Sequence, residues 1–166
     1  MRKVGEALSR IRLERGILMA KSVKQRYFFQ APPDRVFRAL TQPSLLRKWF
    51  VASARFSPRT GGNYTFHWGG EMAQSGKVLG YVRDKSLSLS WPQVQRGKSL
   101  GMTRATFRLK PKDKGTILDV NHSGFKTGSL WNENYAEVCS GWAYFLMNLK
   151  SVLQNGRDLR SETDVF

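Results

Sequence analysis

From Val23 onward the chain alternates. Val23, Tyr27 and Phe29 fall on one side of an extended segment, Lys24, Arg26 and Gln30 fall on the other, and Pro32-Pro33 ends the run. Asp34 then opens a short helix with Val36, Phe37 and Leu40 as its apolar stripe. Thr41 and Gln42 end it, and Pro43 suits the first turn of a second short helix carrying Leu45, Leu46, Trp49 and Phe50. The middle of the chain returns to a period of two. Tyr64, Phe66 and Trp68 follow Gly61-Gly62, Val78, Gly80 and Val82 follow Gly69-Gly70, and Leu87, Leu89 and Trp91 follow Asp84-Lys85. A loop through Pro92, Gly97 and Gly101 is expected next, before Ala105, Phe107 and Leu109. A turn at Lys112 to Gly115 then leads to Leu118, Val120 and His122. This alternation predicts an antiparallel sheet of about six or seven strands with one buried face. The last element has a different period: Tyr135, Val138, Cys139, Trp142, Phe145, Leu146, Leu149, Val152 and Leu153 recur at helical spacing. They predict a long amphipathic helix from Trp131 to Asn155, stopped by Asn155-Gly156.

Three regions follow from this pattern. Residues 1–20 form a basic extension, helical or disordered, in which Val4, Leu8, Ile11 and Leu18 sit at helical spacing but Gly5 and Gly16 weaken the helix. Met19 offers an alternative start, so residues 1–18 are expected to be dispensable for the fold. Residues 21–156 make one domain, and 157–166 a polar tail expected to fray. The 166 residues include ten Phe, five Trp and five Tyr, enough to fill a single core. The lone Cys139 has no internal disulfide partner, which suits a reducing, cytoplasmic setting. No apolar run approaches the ~20 residues of a membrane span.

Charge widens the list of partners. Lys and Arg total 28 against 12 Asp and Glu, a net charge of +16, which favours weak, non-specific association with polyanions. No recognition helix, metal-held finger or RNA-binding signature accompanies that charge.

Candidate chemistry is sparse. His122 shares a strand face with Leu118 and Val120 and points toward the helix, where it is a satisfied core residue, a ligand contact or a proton carrier. His67 faces the other way. A metal site would need His67, His122, Cys139 and Glu71 to converge from separate elements, and no metal or cofactor is expected. Cys139 lies on the buried stripe and reads as a small hydrophobe. Asp119 faces away from His122, and Glu133 and Glu137 lie on the polar side of the last helix, so no acid–base carboxylate pair forms. The aromatics are the stronger signal. Trp49, Phe66, Trp68 and Trp91, with Phe107, Trp142 and Phe145, all address the space between sheet and helix, where they pack a core or surround a flat apolar ligand. Tyr64, Leu89 and His122 complete the expected lining, with His122 and the indole N–H groups of Trp68 and Trp91 as its polar contacts.

The order strand, two short helices, antiparallel strands and long C-terminal helix is α+β and resembles the helix-grip fold, a curved sheet wrapped around that helix. Local motifs sharpen the resemblance. Ala31-Pro32, Val36-Phe37-Arg38-Ala39-Leu40-Thr41, Pro43, Leu45-Leu46 and Lys48-Trp49-Phe50 are similar to the opening of the SRPBCC (START-like) superfamily, in its branch of activators of the heat shock protein 90 ATPase. Gly61-Gly62-Asn63-Tyr64, Gly76-Lys77-Val78-Leu79 and Leu87 to Trp91 resemble its middle strands. Gly115-Thr116 with His122-Ser123-Gly124-Phe125 resembles its penultimate strand and exit loop, and Gly141-Trp142, with Leu146, Asn148 and Leu149, its final helix. The resemblance covers residues 23 to 155 and implies a pocket between helix and sheet. Its members include carriers of hydrophobic ligands, polyketide cyclases and chaperone activators. The leading expectation is a binding module for a small hydrophobic or aromatic molecule, non-catalytic or weakly catalytic. The alternatives are a cyclase or dehydratase-like enzyme using His122, and an interaction protein meeting a chaperone or other partner.

Overall fold

Alternating side chains can bury one face of each strand only if the strands pair and something covers that face. The computed structural model describes residues 21–161 and solves this with a single sheet and one long helix. The extension 1–20 and residues 162–166 lie outside the described residues. The strands are β1 (Lys21–Phe29), β2 (Ser53–Phe56), β3 (Asn63–Gly69), β4 (Met72–Val82), β5 (Ser86–Gln95), β6 (Lys98–Lys112) and β7 (Gly115–Phe125). They form a seven-stranded sheet in the order β1-β7-β6-β5-β4-β3-β2, antiparallel throughout. The helices α1 (Pro33–Thr41) and α2 (Pro43–Leu46) carry the chain from β1 at one edge to β2 at the other. The long helix α3 (Ser129–Asn155) crosses the inward face of the curved sheet against β1 and β5. This is the expected helix-grip architecture.

The core lies in that layer. Val23, Phe29, Leu87, Ala105, Phe107, Leu118 and Val120 face inward from the strands, and Trp142, Leu146 and Leu149 meet them from α3. The Gly156 N–H donates to the Val152 carbonyl at 3.0 Å and closes the helix where the sequence marks its stop. Among the described residues, no helix is long and apolar enough to cross a membrane.

Three details differ from the sequence-based expectation. The loop expected through Pro92, Gly97 and Gly101 is instead a hairpin, because Arg96 (φ 50°) and Gly97 (φ 73°) form a two-residue turn between β5 and β6. Pro92 is tolerated there since the ladder with β4 covers just Ser86–Leu89, so no donor is missed. The second helix ends at Leu46, and Trp49 and Phe50 follow in a tight turn whose N–H groups donate back to the Leu46 carbonyl. Residues 157–161 do not fray. Asn148, buried within α3, accepts the Leu159 N–H at 2.7 Å and donates to Asp158 at 2.9 Å and to the Trp49 carbonyl at 2.8 Å. Arg160 reaches on to the Arg47 carbonyl at 2.8 Å.

Candidate functional site

Where the free edge of the sheet curls toward α3, the two apolar surfaces do not quite close. A cleft of about 100 Å³ remains between them. The sheet contributes Trp68 from β3 and Trp91 from β5. The helix contributes Val138, Gly141, Trp142 and Phe145, which share one face by their three-and-four spacing. Phe50, from the turn after α2, joins the two sides. Its ring stacks on Trp142 at 5.7 Å and stands edge-on to Trp68 at 5.2 Å and to Phe145 at 5.0 Å. Trp91 meets Trp142 at 5.3 Å. A rigid frame of rings is held by its own edge-to-face contacts.

The expected lining residues divide by depth. Trp68, Trp91, Trp142 and Phe145 line the open cleft. Trp49, Phe66, Leu89 and Phe107 surround a deeper space of about 10 Å³, room for roughly one water. Trp49 is further committed because its indole N–H donates to the Ala39 carbonyl at 2.9 Å. Tyr64 borders neither space: its hydroxyl donates to the Ser90 carbonyl at 2.6 Å, and burial raises its pKa. Phe50, Val138 and Gly141 are the lining residues that sequence reasoning missed. Val138 and Gly141 were legible as neighbours of Trp142 on the helical face. Phe50 was not, since a continued helix and a tight turn point it in different directions.

His122 stands behind Trp142, not in the cleft. It is fully buried, and its Nδ1 accepts the Trp142 indole N–H at 3.0 Å. That bond leaves the proton of the neutral ring on Nε2, which lies 2.7 Å from the Thr103 hydroxyl oxygen. The Thr103 hydroxyl in turn donates to the Trp91 carbonyl at 2.8 Å. The chain of polar groups continues outward. Gln93 donates to Thr103 at 3.0 Å, Asn134 of α3 donates to Gln93 at 3.0 Å, and Gln95 donates to Glu137 at 2.9 Å. Burial pushes the His122 pKa down to about 3, so the ring is neutral at pH 7. The arrangement fixes the wall residue Trp142 from behind and leaves no imidazole nitrogen free for a ligand.

The remaining candidates are dispersed. His67 is exposed, on the outward face. Cys139 is half-buried, and its backbone carbonyl accepts from Gln25. Asp119 is held by Arg26, Glu133 by Arg96 and Glu137 by Gln95. Among the described residues, no three His, Cys, Asp or Glu side chains group as a metal site.

The protein resembles known ones in fold and in sequence. A structure of MLL2253 from Mesorhizobium loti is 27% identical with a TM-score of 0.71, covering 82% of this chain and 99% of that one. CalU16 from Micromonospora echinospora is 28% identical with a TM-score of 0.64, covering 82% of this chain and 78% of its own. PFC0360w, an HSP90 activator from Plasmodium falciparum, is 20% identical with a TM-score of 0.66 over 80% of this chain and 95% of its own, a likeness of fold alone. No curated protein matches the chain. The family described as "Activator of Hsp90 ATPase homolog 1-like protein" matches residues 30–154, from just after β1 to one residue short of the end of α3, so the chain belongs to that family.

Proposed function

We propose that this protein holds a small apolar, aromatic molecule in the cleft between Trp68, Trp91 and the middle of α3. The observation that carries this reading is Gly141. A glycine inside a helix costs about 1 kcal/mol relative to alanine. A Cβ built at Gly141 would meet nothing within 4 Å beyond its chain neighbours and its own helix backbone, so packing against the other elements does not call for glycine there. Access to the cleft does, because Gly141 lines it beside Trp142 and Phe145. The test is a titration with one- to three-ring aromatics. Binding is expected to quench tryptophan fluorescence and to raise the melting temperature with ligand concentration. Gly141→Leu should abolish both responses while keeping its own cooperative melt. Absence of quenching by every member of the panel would reject the reading.

Binding without turnover is favoured over a cyclase or dehydratase-like activity. Such an enzyme needs a proton carrier in the cleft, and His122 is engaged by Trp142 and Thr103 instead.

A second reading rests on the opposite face of the sheet. Its outward positions carry Lys24 and Arg26 on β1 and Arg104, Arg108 and Lys110 on β6, all exposed, against Asp119, which Arg26 already pairs. Thr106 lies between Arg104 and Arg108 on β6, and Ser86 and Ser88 stand beside them on β5. This face favours weak, salt-sensitive association with polyanions. A protein partner, such as the Hsp90 of the family's description, would meet the same surface.

A further inference from the structure

We infer that the distal end of the β5–β6 hairpin docks on an anionic phospholipid bilayer, with Val94 and Met102 entering the boundary between headgroups and acyl chains while the hairpin's cations meet the headgroups. The surface lies on the outer side of the sheet, and its role is independent of what the cleft holds. Its basis is the meeting of exposed apolar side chains with a single sign of charge. Val94 and Met102 are each 58% exposed. Both face outward, because their strand neighbours Gln93, Gln95 and Thr103 are buried and successive strand residues point to opposite sides. Met102 stands opposite Pro92, and Val94 is the next outward residue after Pro92 on β5. The two strands thus bring apolar side chains together where folding leaves them in water.

The charge around them selects the partner. From residue 86 to residue 112 the chain has no Asp or Glu and carries Arg96, Lys98, Arg104, Arg108, Lys110 and Lys112, all exposed. Arg96 and Lys98 flank the turn beyond Val94, and Arg104 is the next outward residue after Met102, so cations stand on both sides of the apolar pair. Arg96 also pairs with Glu133 of α3 at 2.9 Å, which ties the turn to the helix. Lys and Arg near an anionic membrane strengthen attachment, and their reach ends within a Debye length. Two side chains bury too little apolar area to hold a protein on lipid unaided, so reversible attachment needs both signals. Methionine, unbranched and flexible, conforms to disordered acyl chains. Duplex DNA would use the cations and leave Val94 and Met102 in water, whereas an anionic bilayer uses both.

The test is co-sedimentation of the full chain with vesicles of phosphatidylcholine alone and with vesicles in which about a third of the lipid is phosphatidylserine. Partitioning is expected to the second and not to the first, and it should weaken as salt rises. Val94→Ser combined with Met102→Ser keeps the net charge, so any attraction of the basic extension cancels in the comparison. The double variant is expected to partition about tenfold less. Its affinity for duplex DNA should stay within about twofold of the wild-type value. Equal partitioning of variant and wild type would show that charge alone holds the protein to lipid and would overturn the proposal. So would equal binding to both kinds of vesicle, binding to neither, or a loss of DNA affinity as large as the loss on lipid, which would assign the hairpin end to nucleic acid. If the double variant lacks a cooperative melt, Val94→Trp decides. Phosphatidylserine vesicles should shift the added indole emission to the blue, and an unshifted emission rejects the proposal.

Discussion

A histidine with both ring nitrogens engaged inside a core is a cost waiting for acid. Protonating His122 would place a second donor opposite the Trp142 N–H and a charge among Trp91, Phe125 and Trp142. Because its folded pKa lies at about 3, below the usual 6.5, the unfolded chain takes up a proton that the folded one refuses. The contribution of neutral His122 is therefore complete above pH 6.5 and is lost as pH falls from there toward 3. Between pH 7 and pH 5 the linkage amounts to about 2 kcal/mol. Denaturant unfolding should show the wild-type protein losing that much more stability over this interval than His122→Gln, which has no such proton to bind. Parallel losses in the two proteins would show that the ring titrates freely. Strand alternation revealed that His122 points toward the helix. It could not reveal depth, because a strand position sets a direction, and whether a void or an indole waits there depends on the partner layer. The same limit explains why Tyr64, turned inward from β3, lies away from the cleft.

At the scale of elements, α3 was the most legible part of the sequence because its apolar stripe persists over many turns, and its stop at Gly156 follows from the Asn-Gly signal. Short or Gly- and Pro-bearing pieces were less so. β2, the four-residue edge strand Ser53–Phe56, is too brief for alternation to register, and the tip of the β5–β6 hairpin reads as loop because Pro92, Gly97 and Gly101 crowd it. The docking of residues 157–161 was also hidden. It depends on Asn148, a polar residue on an otherwise apolar stretch of helix, joining three segments at once. The Trp49 carbonyl that it holds precedes Phe50, so the same bonds brace one wall of the cleft. Arg160 pulls the Asp158 pKa down to about 2 and keeps the carboxylate charged for this role. Asn148→Ala is expected to cost about 2–3 kcal/mol, since it leaves buried partners unpaired. It should also speed tryptic cleavage after Arg157 and Arg160, and a cleavage rate equal to that of the wild-type protein would show that the segment docks by other means.

For the molecule as a whole, the sheet separates two chemistries, an aromatic interior side and a cationic outer side. The second gives a measurable expectation. With about five cations meeting phosphates, affinity for duplex DNA should fall several hundredfold between 50 and 200 mM salt. Arg104→Glu combined with Arg108→Glu should lower the logarithmic salt slope by roughly two, without altering aromatic binding on the other side. A slope unaffected by these changes would move polyanion contact elsewhere. The sheet's closure has a consequence in time. β1 pairs with β7, and Arg26 finds Asp119 across a separation of 93 residues. At a synthesis rate of ~5–20 residues per second, roughly 5 to 20 seconds pass between the emergence of these two residues from the ribosome. Until then Val23, Tyr27 and Phe29 have neither their strand neighbour nor the helix that covers them, and β1 is unpaired on both of its edges. Pairings between distant segments form slowly, so the β1–β7 ladder, the one strand pairing of this sheet between non-consecutive strands, is expected to be the last of its ladders to form.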